Sequence, residues 1–196
     1  MIRLLVVDDH SPTRLATINE LIVGNLIEIV GEAETSDQAL KLSEKLLPDI
    51  VLLDLHLPGL FSSVDLIKRL VALRNVKVIA FASQVVGAEV QDLLDAGASA
   101  YILKNDASAL IRMTILMVSR GSRNITSSAV PRQLTKLTAP ERVLLREITK
   151  RGKIQKAAER LGVPESALIE TLTQLSQKLE IADPDKLIRW AKKQGF

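Results

Sequence analysis

Short, continuous apolar runs alternate with amphipathic stretches along the first 118 residues of the chain. A run of Val, Ile and Leu is typical of a parallel strand buried on both faces, and strands that alternate with helices form βαβ units. The pattern predicts five strands, near residues 3–8, 28–33, 49–55, 76–82 and 100–104. It predicts helices near residues 12–23, 36–47, 62–73, 87–96 and 106–118. We therefore expect an α/β doubly wound, five-stranded parallel sheet.

The pattern changes after residue 118. Residues 119–136 are polar and rich in turn-forming residues, and we interpret them as a linker. Four helices follow, near residues 138–150, 153–161, 164–179 and 184–194, without a strand signal. Leucines recur at helical spacing in the third of them and predict one buried face, at Leu168, Leu172, Leu175 and Leu179. The expected organisation is a first domain at 1–118, a linker at 119–136 and a small all-α domain at 137–196.

The net charge changes sign between the two predicted domains. Residues 1–118 contain 10 Lys and Arg against 15 Asp and Glu, a net charge of −5, whereas residues 137–196 contain 12 against 8, a net charge of +4. A basic domain is suited to a polyanionic partner. The asymmetry favours an acidic regulatory domain followed by a domain that meets a polyanion.

Composition narrows the class of protein further. The chain has 196 residues, 47% of them apolar, which is ample for a packed core. It has no cysteine, which excludes disulfides and thiolate metal sites and fits a reducing cytoplasm. No apolar run approaches the roughly 20 residues that span a bilayer, and Asp8, Asp9 and His10 lie where a signal peptide is apolar. We expect a globular, cytoplasmic protein without a membrane partner.

Acidic residues end two of the predicted strands. Asp8 and Asp9 follow Leu4-Leu5-Val6-Val7, and Asp54 follows Ile50-Val51-Leu52-Leu53. The carboxyl ends of parallel strands border the crevice where open α/β sheets bind ligands. Three carboxylates there repel each other unless a hard cation joins them, and Mg²⁺ is the natural candidate. The inferred chemistry is phosphoryl transfer.

The same residues carry a resemblance to a known family. Three segments resemble, in order, the signatures of a two-component receiver domain: Val6-Val7-Asp8-Asp9-His10, Asp54-Leu55-His56-Leu57-Pro58-Gly59, and residues 96–104 ending in Lys104. Leu137-Thr138, Glu141, Leu144, residues 156–163 and Lys178-Leu179 resemble a LuxR-type helix-turn-helix. Together they resemble a response regulator of the NarL/FixJ class over nearly the whole chain. This implies a flavodoxin-like receiver followed by a helix-turn-helix output domain.

The resemblance implies roles for the residues of the pocket. Asp54 is implied as the phosphoacceptor, Asp8 and Asp9 join it in holding Mg²⁺, and Lys104 pairs with the incoming phosphoryl group. A carboxylate can form an acyl phosphate, while the cation and the ammonium neutralise charge on the transferring oxygens. The implied donor is a phosphohistidine on a sensor histidine kinase. Tyr101 resembles the switch aromatic of the family, and a half-buried strand tyrosine explains it equally well.

The receiver departs from its family near the pocket. The family places a Thr or Ser hydroxyl at the end of the fourth strand, where it hydrogen-bonds the phosphoryl group, and Ala82 stands there in this chain. A methyl group cannot donate that hydrogen bond. Either Ser83 substitutes for it, which we favour, or the coupling between phosphorylation and conformation is weakened. The loop after Asp54 also reads Leu60-Phe61-Ser62-Ser63 where the family usually has Asp-Gly.

The recognition helix, predicted at 165–179, departs as well. Family members commonly carry basic residues in its first turns, whereas this chain has Ile169, Glu170, Thr171 and Thr173. The preceding segment supplies bases that we expect to hold the phosphate backbone: Lys150, Arg151, Lys153, Lys156 and Arg160. We expect base contacts from Thr173, Gln174 and Gln177.

Three hypotheses follow. The first is a transcriptional regulator that binds double-stranded DNA, acts as a homodimer and is switched by phosphorylation of Asp54. The second keeps the fold but makes the output domain a protein-binding module, because of Glu170 and the few bases on the recognition helix. The third is a receiver that no longer switches by phosphorylation, because of Ala82. An independent enzyme is not expected, since the sequence outside the pocket shows no acid–base pair, nucleophile triad or glycine-rich nucleotide loop.

Overall fold

A computed structural model describes residues 1–151 and 154–196 of the chain, without the side chain of Arg151. Its sheet contains β1 (Ile2–Val7), β2 (Ile27–Ala33), β3 (Ile50–Asp54), β4 (Lys77–Ala82), β5 (Ala100–Leu103) and β6 (Ile125–Thr126). The strands lie in the order β2-β1-β3-β4-β5-β6, and all paired strands are parallel. The helices that follow the first five strands are α1 (Ser11–Leu21), α2 (Ser36–Leu46), α3 (Ser63–Ala72), α4 (Gly87–Asp95) and α5 (Ser108–Ser119). The predicted α/β doubly wound fold is confirmed.

The centre of the sheet is apolar on both faces. All five residues of β3 are buried, as a continuous apolar run predicts for a strand covered by helices on each side. One face packs against α5 through a cluster that includes Leu4, Leu52, Ile79, Ile111 and Ile115. The rigid layer formed in this way fixes the carboxyl ends of β1, β3 and β5, from which the polar residues of the site project.

A sixth strand lies inside the segment that we interpret as a linker, so the prediction of five strands is one short. In β6, Ile125 pairs with Ala100 and Thr126 pairs with Tyr101. The N–H of Ser127 continues the ladder by donating to the carbonyl of Tyr101 at 2.8 Å. Two residues are too few for a periodic signal. The strand forms because it satisfies main-chain groups along the edge of β5.

The chain separates into two compact units, Met1–Val85 with Asp92–Ala129 and Val86–Gln91 with Val130–Phe196. The domain boundaries at 118 and 136 stay a prediction. Beyond β6 the helices are α6 (Arg132–Thr135), α7 (Ala139–Arg151), α8 (Ile154–Leu161), α9 (Glu165–Lys178) and α10 (Pro184–Lys193). In the described parts of the chain, no helix is both long and apolar enough to cross a membrane.

The second unit is held together by the predicted leucine face. Leu168, Leu172, Leu175 and Leu179 are all buried, with exposed fractions of 3% or less. The start of α7 is closed by a capping box, in which the N–H of Thr138 donates to Oε2 of Glu141 at 2.7 Å. The other oxygen of this carboxylate, Oε1, accepts from Nζ of Lys178 at 2.8 Å, which ties α7 to α9.

Candidate functional site

Three carboxylates meet at the carboxyl edge of the sheet. Asp8 follows β1, Asp54 ends β3, and these strands are neighbours, with Val7 paired to Leu53. One carboxylate oxygen from each of Asp8, Asp9 and Asp54 lies within 4.8 Å of the others. Asp8 and Asp54 are 2% and 5% exposed, and Asp9 is exposed. The structure therefore brings together the three acids that the strand ends predict.

Lys104 bridges two of these carboxylates. Its Nζ donates to Oδ2 of Asp8 at 2.7 Å and to Oδ2 of Asp54 at 2.9 Å. Burial lowers the pKa of Lys104, but the hydrogen bonds to the two carboxylates outweigh it, so the pKa lies above the ordinary lysine value. Three carboxylates against one ammonium leave the cluster negative, which favours a bound cation.

Main-chain groups orient the two buried carboxylates. Oδ1 of Asp8 accepts from the N–H of His10 at 2.9 Å, and Oδ1 of Asp54 accepts from the N–H of Leu55 at 2.7 Å. Each carboxylate therefore has one oxygen set by the backbone and the other by Lys104. Together with Asp9 they form an all-oxygen donor set, which fits Mg²⁺ because this ion is commonly held by one or two carboxylates and keeps several waters.

The loop after Asp54 follows a defined path against the start of α2. The N–H of Ser36 donates to the carbonyl of Pro58 at 2.9 Å, and Oγ of Ser36 accepts from the N–H of Phe61 at 3.0 Å. Gly59 has φ +127°, and a Cβ atom there would collide with Oγ of Ser36. These contacts hold the loop after Asp54 against the first turn of α2.

The fourth strand ends beside Lys104. The carbonyl of Ala82, the last residue of β4, accepts from the N–H of Lys104 at 2.8 Å, and the methyl group of Ala82 is buried. Ser83 is exposed one residue further on. Tyr101 is fully buried rather than half-buried, and its hydroxyl donates to the carbonyl of Gln84 at 3.0 Å. The roles of Ser83 and Tyr101 stay predictions.

The structure describes most of the predicted DNA contacts, and they lie on three helices: Lys150 and Arg151 at the end of α7, Lys156 and Arg160 on α8, and Thr173, Gln174 and Gln177 on α9. Lys156, Thr173, Gln174 and Gln177 are exposed. Arg160 is exposed as well, but its Nη1 lies 3.1 Å from Oε2 of Glu147, so part of its charge is already paired. Lys153 lies outside the described residues.

Arg14 contacts the main chain of Asp8 in the pocket, and the sequence did not predict this contact. Arg14 lies on α1, and its guanidinium contacts the carbonyl oxygen of Asp8, Oε2 of Glu32 and Oε1 of Glu34. The two glutamates belong to the end of β2 and the residue after it, far from Arg14 in sequence. No local sequence pattern predicts such a contact, because it forms only when β1 pairs with β2.

Comparison with known proteins shows which family of proteins has this fold and site. The response regulator receiver domain family matches residues 4–115, which is more than half of the chain. The chain belongs to this family. It is a two-component response regulator, a signalling switch rather than an independent enzyme.

The relatives extend over the second unit. The chain is 29% identical over 197 residues to the transcriptional regulatory protein LiaR of Bacillus subtilis (strain 168), with 93% of both chains covered. It is 31% identical over 141 residues to the response regulator GacA of Pseudomonas viridiflava, which covers 72% of this chain and 66% of that one. RcsB from Salmonella enterica serovar Typhimurium, solved bound to promoter rprA with phosphomimetic BeF3−, superposes with a TM-score of 0.68. That match covers 97% of this chain and 98% of RcsB at 20% identity, and it shows the fold alone.

Proposed function

We propose that Asp54 accepts a phosphoryl group and that Asp8, Asp9 and Asp54 hold Mg²⁺. The observation that carries the proposal is the position of Lys104 Nζ, which lies 2.7 Å from Asp8 and 2.9 Å from Asp54. A carboxylate oxygen of Asp54 forms a bond to the phosphorus of a phosphohistidine, while the P–N bond breaks and the imidazole leaves. The Lys104 ammonium offsets charge on the transferring oxygens. Bound Mg²⁺ would supply further charge neutralisation there.

Incubation with Mg²⁺ and acetyl phosphate, followed by intact mass measurement, tests this proposal. We expect one phosphoryl adduct that requires Mg²⁺ and that Asp54→Asn abolishes. Asp185→Asn is the matched control, because it removes an exposed carboxylate of α10 and should leave the adduct unchanged. The absence of any adduct would favour regulation by constitutive dimerisation or by a ligand.

The donor in the cell is a phosphohistidine of a sensor histidine kinase under this proposal. Ser83 supplies the hydroxyl that contacts the phosphoryl group in place of Ala82, and Tyr101 acts as the switch aromatic. The buried position of Tyr101 and its hydrogen bond to the carbonyl of Gln84 support the latter role, because a movement of that loop would change the tyrosine environment. Both roles depend on the acceptor function of Asp54.

The second unit binds double-stranded DNA in this proposal. Five bases hold phosphates, namely Lys150, Arg151, Lys153, Lys156 and Arg160, and base contacts come from Thr173, Gln174 and Gln177 on α9. The support is the net charge of +4 of residues 137–196 and the likeness to LiaR, which is named as a transcriptional regulator. Binding to a promoter fragment should weaken with salt, with a slope near −4 to −5 for about five phosphate contacts. No binding at low salt would contradict this function.

A protein-binding output is the second candidate, and one specific observation favours it. An apolar groove of about 540 Å³ lies between α7, α8 and α9. Val143, Leu161 and Val163 line it, with exposed fractions of 53%, 38% and 41%. The double variant Lys156→Ala/Arg160→Ala separates the two functions, because it should abolish DNA binding and leave binding of a protein partner largely unaffected.

Dimerisation completes the proposal. Leu110, Met113 and Met117 lie on one face of α5, and their exposed fractions are 58%, 54% and 40%. Neighbouring exposed apolar side chains are a common feature of interaction surfaces. We assign it to a second copy of the chain, and sedimentation of Met113→Glu should show a monomer where the unchanged protein dimerises.

A further inference from the structure

Arg14 is an almost fully buried cation whose contacts converge on the start of the acidic pocket. The residue is 8% exposed. Its Nη1 donates to the carbonyl oxygen of Asp8 at 2.6 Å, Nε donates to Oε2 of Glu32 at 2.8 Å, and Nη2 donates to Oε1 of Glu34 at 2.7 Å. These are its three short contacts, two of them to carboxylates, and Nη2 also donates to Oγ of Ser11 at 3.4 Å.

These contacts fix the main chain at the point where the acids leave β1. The N–H of Asp8 donates to the carbonyl of Ala33 at 3.0 Å, so β2 holds one side of this residue. Arg14 holds the other side through the carbonyl of Asp8, and this carbonyl belongs to the peptide plane that leads into Asp9. The orientation of that plane sets the direction in which the Asp9 side chain leaves the backbone.

Asp9 needs such support more than its neighbours do. The carboxylates of Asp8 and Asp54 are oriented by main-chain N–H groups and by Lys104. In the described parts of the chain, no hydrogen-bond donor contacts the Asp9 carboxylate, and the residue is exposed. Its place within 4.8 Å of the other two acids therefore depends on the backbone.

We infer that Arg14, held by Glu32 and Glu34, is a positioning residue of the metal pocket and keeps the Asp9 carboxylate in place for the cation. This inference rests on the proposed function, which assigns Mg²⁺ to Asp8, Asp9 and Asp54. It requires the fork of the guanidinium and not only its positive charge. A lysine at this position keeps the charge but has no planar fork with which to reach a carbonyl and two carboxylates.

Titration of the unphosphorylated full chain with Mn²⁺, followed by electron paramagnetic resonance, measures metal binding directly. Residues that orient metal ligands typically contribute 10- to 100-fold to affinity, so Arg14→Lys should weaken Mn²⁺ binding about tenfold. The double variant Glu32→Gln/Glu34→Gln keeps Arg14 but weakens its anchors, and it should weaken binding by a smaller factor. Arg112→Lys is the matched control, because Arg112 also donates to a main-chain carbonyl, that of Glu20 near the other end of α1.

Thermal unfolding of the same variants separates positioning from general stability. A purely structural role predicts that Arg14→Lys lowers the melting temperature and leaves the Mn²⁺ affinity equal to that of Arg112→Lys, which would overturn the inference. A purely electrostatic role would also overturn the inference. In that case Arg14→Lys would bind Mn²⁺ as tightly as the unchanged protein, and Arg14→Gln would bind it more tightly. If Arg14→Lys does not fold, the Mn²⁺ affinity of Glu32→Gln/Glu34→Gln is the test. Weaker binding supports the inference, and unchanged binding contradicts it. If the unchanged protein itself does not bind Mn²⁺, the proposed metal pocket fails, and the inference fails with it.

Discussion

The main-chain N–H of Lys104 donates to the carbonyl oxygen of Ala82 at 2.8 Å. Lys104, the residue after β5, and Ala82, the last residue of β4, therefore lie at the adjacent ends of two neighbouring strands. Ala82 has no side-chain hydroxyl, and the next one along the chain belongs to Ser83, which is exposed. This arrangement makes the coupling between phosphorylation and conformation testable with small substitutions.

Ser83→Ala is expected to reduce the response to phosphorylation. A hydrogen bond to a charged group contributes about 1.5–3 kcal/mol, so the gain in DNA affinity on treatment with acetyl phosphate should fall about tenfold or more. Adding Ala82→Ser should restore the gain, because it returns a hydroxyl beside Lys104. An unchanged response in Ser83→Ala would exclude Ser83 as the phosphoryl contact.

Lys104→Gln is expected to slow phosphorylation of Asp54 by roughly 100-fold, because it removes a fixed charge from the transferring oxygens. The variant also leaves Asp8 and Asp54 without their shared cation, so Mg²⁺ should raise its melting temperature more than that of the unchanged protein. The measurements are the rate of adduct formation and thermal unfolding with and without Mg²⁺. Equal rates in the two proteins would contradict the role of Lys104.

The environment of Glu141 makes the stability of the second unit depend on pH. Burial raises the pKa of Glu141, but the hydrogen bonds to Lys178 and Thr138 outweigh it, so its pKa is lowered. A group with a lowered folded-state pKa contributes stability that is present above its ordinary value, about 4.3 for glutamate, and is lost as the pH falls through the lower folded value.

Glu141→Gln should therefore lower the unfolding free energy by about 1 kcal/mol near neutral pH and by less as the pH falls below about 4. Urea unfolding followed by the fluorescence of Trp190 measures this, because Trp190 on α10 is the only tryptophan in the chain. Glu165→Gln, at an exposed glutamate of α9, is the control. A difference that stays constant down to acidic pH would contradict the assignment.

Glu147→Gln is expected to tighten DNA binding. Oε2 of Glu147 lies 3.1 Å from Nη1 of Arg160, so the substitution releases a cation for a phosphate and should make the salt slope steeper by about 1. Lys156→Ala should make the slope shallower by a similar amount. Fluorescence anisotropy with a promoter fragment at several salt concentrations measures both. Unchanged slopes in both variants would favour the protein-binding output.

The sheet and the acids of the pocket could be predicted because both leave local signals. The run Ile50-Val51-Leu52-Leu53 predicts a strand buried on both faces. Asp54 follows this run, so it must lie at the edge formed by the carboxyl ends of the strands. Lys104 has no such signal, and only the resemblance to receiver domains singled it out. Arg14 was missed because its partners Glu32 and Glu34 reach it through the pairing of β1 with β2. β6 was missed because Ile125 and Thr126 carry no period of their own.

Chemical trapping of the phosphorylated residue tests the central claim most directly. Borohydride reduces an acyl phosphate at the carboxyl carbon, so peptide mass mapping after treatment with Mg²⁺, acetyl phosphate and borohydride locates the modified aspartate. The account predicts a single reduced residue at Asp54, and none in Asp54→Asn. Reduction at Asp8 or Asp9 in the unchanged protein, or no reduction in a protein that otherwise binds Mg²⁺, would contradict it.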